Sequence, residues 1–125
     1  MNKYRGSFDI EIDGKKFTLT PSFDAMENFE EKVGMSVIQA LQKIEENSYS
    51  VRIIAGAIWA GILGEAYYRN DSKLEQPYRV IGEMVRKVGV VGMATYAQQF
   101  LTYASLPAHV VEKIEADVPQ KKTDS

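Results

Sequence analysis

The chain has no cysteine, a single histidine and no excess of either charge. Without cysteine there is no disulfide, thiolate metal site or thiol nucleophile, and such a composition suits a reducing compartment. With His109 alone, no histidine-based metal set forms, and any nucleophilic triad would have to use that residue. No serine stands in a nucleophile-elbow pattern, so the reading is of a protein that is not an enzyme. Lys and Arg number 15 against 17 Asp and Glu, a net charge of -2 over 125 residues, and no segment carries a basic stripe. That balance offers no electrostatic footprint for nucleic acid. The longest apolar run, Ile53 to Leu63, falls well short of the about 20 residues that cross a membrane and reads as a buried helix. Met1 to Gly6 has no apolar stretch behind its charges, against a secretion signal. Proline is scarce as well: the four stand at 21, 77, 107 and 119, each where one pattern gives way to another.

What is present begins with a hairpin over residues 7–20. Phe8, Ile10 and Ile12 alternate with polar residues, and Phe17 and Leu19 do the same after Asp13-Gly14. Alternation is the period of a half-buried strand, and Asp-Gly between two such runs favours a two-residue type I′ turn. Asp13 and Gly14 are therefore structural residues. The turn fixes the register, with Phe8 opposite Leu19 and Glu11 opposite Lys16, so that the large apolar groups share one face. A lone ribbon of two strands is marginal in water and must lie on something.

The rest reads as helix. The expected fold is mainly α (α+β): an N-terminal β-hairpin packed on a bundle of about five helices. The helical patterns run over about 23–33, 37–45, 51–69, 77–88, 93–104 and 108–117, in one domain spanning 1–119. Phe23, Met26, Phe29 and Val33 form an apolar stripe, and Gly34 is placed to end that helix in the left-handed conformation. Ser36 with Gln39 makes a capping box, and Ser50 caps the next helix. Gly56, Ala60 and Gly64 recur every four residues as a smooth stripe. Each glycine costs about 1 kcal/mol relative to alanine within a helix, so the stripe implies the close approach of another helix. Pro77 suits a first helical turn, Gly89 ends the helix it opens, and Met93 to Ala104 forms the fifth. Residues 120–125 are expected to be a disordered polar tail.

Few residues point to chemistry. His109 has no second histidine or cysteine to complete a metal site, and Glu27 and Glu31, one turn apart, read as a solvated face. No cofactor or metal is expected. The glycines at 56, 61 and 64 lie inside an apolar helix whose backbone donors are already used, so they do not form a phosphate cradle. Trp59, Ile62, Tyr67, Tyr96, Phe100 and Tyr103 are the candidate protein-binding residues, since large aromatic and apolar groups dominate both cores and interface hot spots.

The order of residues resembles the small tail assembly chaperones of long-tailed phages and gene transfer agents. The likeness is carried by Arg5-Gly6, Asp13-Gly14-Lys15-Lys16-Phe17-Thr18-Leu19, Ser22-Phe23-Asp24-Ala25-Met26 with Phe29-Glu30, and Gly34-Met35-Ser36. Ile58-Trp59-Ala60-Gly61 continues it, and Val80-Ile81-Gly82-Glu83 followed by Gly89 does so more loosely. The resemblance implies a helical, non-catalytic binding protein of the host bacterial cytoplasm, or of a prophage. It would engage tape measure and tail tube proteins during tail morphogenesis and be missing from the mature particle. It also implies possible self-association, no nucleic acid or membrane partner, and a longer frameshifted product, for which Lys121-Lys122 is the candidate slippery site. The runner-up is a minor structural tail or head-tail connector component of the virion.

Overall fold

The computed structural model describes residues 3–117. Two strands, β1 (Phe8–Ile12) and β2 (Lys15–Leu19), lead into six α-helices among the described residues: α1 (Phe23–Val33), α2 (Val37–Glu45), α3 (Val51–Arg69), α4 (Tyr78–Val88), α5 (Val90–Ser105) and α6 (Ala108–Asp117). A short 3-10 turn at Ser72–Leu74 joins α3 to α4. The architecture is a β-hairpin packed on a helical bundle.

The hairpin is built as the Asp-Gly turn dictates. Asp13 and Gly14 have φ of 53° and 81°, both in the left-handed region that a type I′ turn requires. The strands are antiparallel, with Phe8 opposite Leu19, Ile10 opposite Phe17 and Ile12 opposite Lys15. Ile10, Ile12 and Leu19 are buried in the common core. On the other face, the Thr18 hydroxyl donates to Asp9 Oδ1 at 2.7 Å. At the turn, Lys87 of α4 pairs with Asp13 at 2.9 Å and holds the tip of the ribbon against the bundle.

Local chemistry sets most helix ends. Ser22, Ser36 and Ser50 cap α1, α2 and α3, each accepting from a backbone N–H three residues on. Gly34 closes α1 with φ 81° and ψ 23°. The fifth helix begins at Val90, three residues before the periodicity places it. Gly89, at φ 115°, ends α4 and starts α5 by itself, so the chain turns between two helices on one residue. Val90, Val91 and Gly92 are weak helix formers, and this hides the first turn of α5 from pattern reading. The expected tail at 120–125 lies outside the described residues.

α3 is the centre of the molecule, buried nearly all round between Ile53 and Ala66. Its small-residue stripe receives α1 and the chain entering it. A side-chain carbon at Gly56 would strike Val33, and one at Gly64 would lie 2.5 Å from the Thr20 carbonyl oxygen and 2.9 Å from Ala25 Cβ. At Gly61 it would lie 2.8 Å from Leu19 Cβ. Ala60, between them, is fully buried. Close approach is thus made partly by a helix and partly by the extended chain at the end of β2, whose Thr20 N–H donates to the Gly61 carbonyl at 3.0 Å.

This crossing corrects the expected stripe on α1. The buried line runs through Ser22, Ala25, Phe29 and Val33, Met26 is half-buried at its edge, and Phe23 is 69% exposed. The chain arrives pressed onto Gly61 and Gly64, so only small groups fit beneath the start of α1. Ser22 and Ala25 take those places, and Phe23 is turned out to solvent.

Candidate protein-binding surfaces

The six candidate binding residues separate into two surfaces and a core. Phe100 is fully buried and Ile62 is 3% exposed, so both are core side chains and not exposed contacts. Both belong to the central cluster, Phe100 on α5 and Ile62 on the side of α3 that also carries Glu65 toward β2. Tyr96 is half-buried against that cluster. Trp59, Tyr67 and Tyr103 do reach the surface, Trp59 and Tyr67 in one region and Tyr103 in another.

The first surface lies along α3 and the start of α4. Trp59, Leu63 and Tyr67, spaced four apart on one helical row, line a cleft of about 400 Å³ closed by Gln76 and Pro77. Tyr78 packs edge-on to Trp59 with ring centroids 5.8 Å apart. The Lys32 ammonium lies 5.2 Å from the Trp59 ring and 5.0 Å from the Tyr78 ring, so α1 places its own cation over this aromatic pair. Tyr67 is 48% exposed at the far end.

The second surface is a groove of about 430 Å³ between the N-terminal turn, the start of α1 and the corner joining α5 to α6. Tyr4, Pro21, Met26, Tyr103, Leu106 and Val111 line it, and Phe23 stands at the same site. Tyr103 is held by an edge contact with Phe8, centroids 6.1 Å apart. The α6 wall is fastened by three ties. Val111 is buried, Glu115 accepts from the Gly6 N–H at 3.0 Å, and Glu112 faces Arg5 at 3.7 Å. Pattern reading placed Phe23 in the core and so missed the most exposed aromatic of this groove.

Sequence reasoning also missed a buried carboxylate. Glu65, in the last turns of α3, is 8% exposed. The Thr20 hydroxyl donates to its Oε1 at 2.5 Å, and Arg69 Nε donates to its Oε2 at 2.8 Å. Ser7 Oγ lies 2.8 Å from Thr20 Oγ1. Since the one proton of Thr20 goes to Glu65, Ser7 is the donor of that second bond. Both carboxylate oxygens are therefore engaged: Oε1, through Thr20 and Ser7, ties the two ends of the hairpin to α3, and Oε2 is held by Arg69 one turn on in the same helix. The signal was present as Glu65 one turn before Arg69 on an otherwise apolar helix. His109 is exposed at the start of α6, and Glu27 and Glu31 are exposed on α1. Among the described residues no group of three or more His, Cys, Asp or Glu is placed to hold a metal ion. No helix among them is long and apolar enough to cross a membrane.

No family model matches this sequence, and no curated protein or solved structure is significantly similar to it.

Proposed function

We propose that this chain is a non-catalytic binding protein whose clients are tape measure and tail tube proteins during phage tail assembly. The observation that carries the binding role is Phe23, 69% exposed beside the apolar groove of Pro21, Met26, Tyr103 and Leu106. A large aromatic left in water at the mouth of an apolar groove has the makeup of an interface anchor, because such side chains supply most of the energy at a partner's surface. Trp59, Leu63 and Tyr67 give a second such surface on α3. Grooves of this kind accept the apolar face of an amphipathic helix, and a long helical client would present many such faces in series. The choice of client rests on the sequence resemblance, whose motifs include Ser22-Phe23-Asp24-Ala25-Met26 beside the groove.

Co-expression with a tape measure fragment is expected to give a complex that survives gel filtration, and Phe23→Ser is expected to weaken it at least tenfold, the loss typical of an interface anchor. Failure to bind either tape measure or tail tube protein would remove the reading. Mass spectrometry of purified particles separates it from the virion-component reading, in which the chain is present in the finished tail.

A further inference from the structure

We infer that α6 is a removable occupant of the groove beside Phe23, and that the surface beneath it takes a partner helix carrying an apolar residue with acidic residues one and four positions further on. This rests on the proposed binding role of the groove but not on the identity of the client.

The way α6 sits on the protein shows what the surface recognises. Tyr4 to Ser7 form a turn closed by the Ser7 N–H, which donates to the Tyr4 carbonyl at 3.0 Å. Its third residue, Gly6, has φ 89°, in the region that favours glycine. The missing side chain leaves a pit. A side-chain carbon at Gly6 would lie 3.1 Å from both Pro21 Cγ and Val111 Cγ1, and 3.6 Å from Tyr103 Cδ2. Val111 of α6 fills that pit and is buried there. Beside it, the Gly6 N–H donates to Glu115 Oε2 at 3.0 Å, and the Arg5 guanidinium lies 3.7 Å from Glu112 Oε2. Residue 115 is a helical neighbour of both 111 and 112, so one face of α6 presents an apolar knob and two carboxylates. Arg5 is the only charged residue among the described residues that line the groove. The charge to be matched there is positive, and α6 matches it.

The hold on α6 is thin. Val111 is its one buried side chain among those described, with Val110 and Ile114 half-buried. The side chains of Arg5 and Glu112 are largely in water, where an ion pair contributes little. Only Leu106, in extended conformation, and Pro107 join α6 to α5, so α6 swings away without unwinding its neighbour. α6 also leaves Phe23 uncovered at the same groove. A longer partner helix bearing the same three groups would cover Phe23 as well. That added contact favours the partner over α6, because exchange follows the difference in affinity.

The test uses the full chain, isotope-labelled for NMR, and a blocked peptide with the sequence of residues 107–117. The peptide is stapled on the face away from Val111, since an isolated helix of that length is marginal in water. It is expected to shift the Gly6 and Tyr103 amides of the wild-type chain and to speed hydrogen exchange in the chain's own α6 by about tenfold or more. Val111→Asp in the chain empties the pit and is expected to bind the peptide at least about tenfold more tightly than wild type, because the resident helix no longer competes. Glu112→Lys with Glu115→Lys in the chain cuts the two ties instead, and gives the same ranking if Val111→Asp does not fold. In the Val111→Asp chain, Arg5→Glu should weaken the peptide about threefold or more, and lysine at position 112 of the peptide should restore it. Absence of binding to either loosened chain at about 1 mM peptide, the weak end of specific affinity, overturns the inference. Equal binding to wild type with α6 still protected does so too, since α6 would then be a fixed wall of the groove. Protection of α6 that varies with protein concentration alone would make a second copy the occupant and is equally fatal. The tape measure complex is measured separately, so these outcomes leave the proposed client role standing or falling by itself.

Discussion

Gly64 and Gly82 are both helical glycines, and the structure assigns them opposite roles. A side-chain carbon at Gly64 would sit 2.5 Å from the Thr20 carbonyl oxygen, a backbone atom that cannot swing aside. Gly64→Ala is expected to lose about 1–3 kcal/mol by overpacking in spite of its better helix propensity. Gly82 has nothing within 4 Å of that position, and Gly82→Ala is expected to gain about 0.5–1 kcal/mol. Urea unfolding of the two variants gives the comparison directly. The spacing of Gly56, Ala60 and Gly64 made close approach legible. It did not disclose that the approaching group at Gly64 is the extended chain after β2, because that depends on where the hairpin ends in space. Glu65 belongs to the same crossing. Glu65→Ala would leave the buried Thr20 hydroxyl without its acceptor and take a carboxylate from Arg69, and a loss of about 2–4 kcal/mol is expected in the same assay. Phe23→Ser, in contrast, is expected to change stability by no more than about 0.5 kcal/mol, since the ring is already in water.

Among the elements, the hairpin was the most legible and α6 the least constrained. Turn chemistry and side-chain parity both act within a dozen residues, and each requires the observed pairing of Ile10 with Phe17. Helix starts with a serine cap were equally local. Gly89 ended α4 as read, but the start of α5 was not legible, because Val90 to Gly92 have weak helix preference of their own. α6 buries Val111 alone among its described side chains and is otherwise tied by Glu112 and Glu115 to the N-terminal turn. Its amides are expected to exchange at least about tenfold faster than those of Ile54 to Leu63 at the centre of α3, as measured by hydrogen exchange. Slow exchange throughout α6 would show that these few ties are stronger than their exposure implies.

At the scale of the whole molecule, the chain is a bundle wrapped on one apolar helix, with exposed apolar groups spread over several elements, from Phe23 on α1 and Ile38 on α2 to Val91 on α5. Phe23 marks one groove and Tyr67 another. The two grooves suit the proposed binding role, in which several contacts that are individually weak add along one client. The tape measure complex tests the groove at Phe23. The sequence by itself determined the elements, their caps, the hairpin register and the need for close packing on α3, because each of these follows from neighbours within a few turns of the chain. Only the tertiary structure decided that Phe23 faces water while Phe100 and Ile62 do not, and that Glu65 is buried among hydroxyls. Those outcomes depend on which faces meet when distant segments cross, and hydrophobic periodicity records that a face is apolar without recording what covers it.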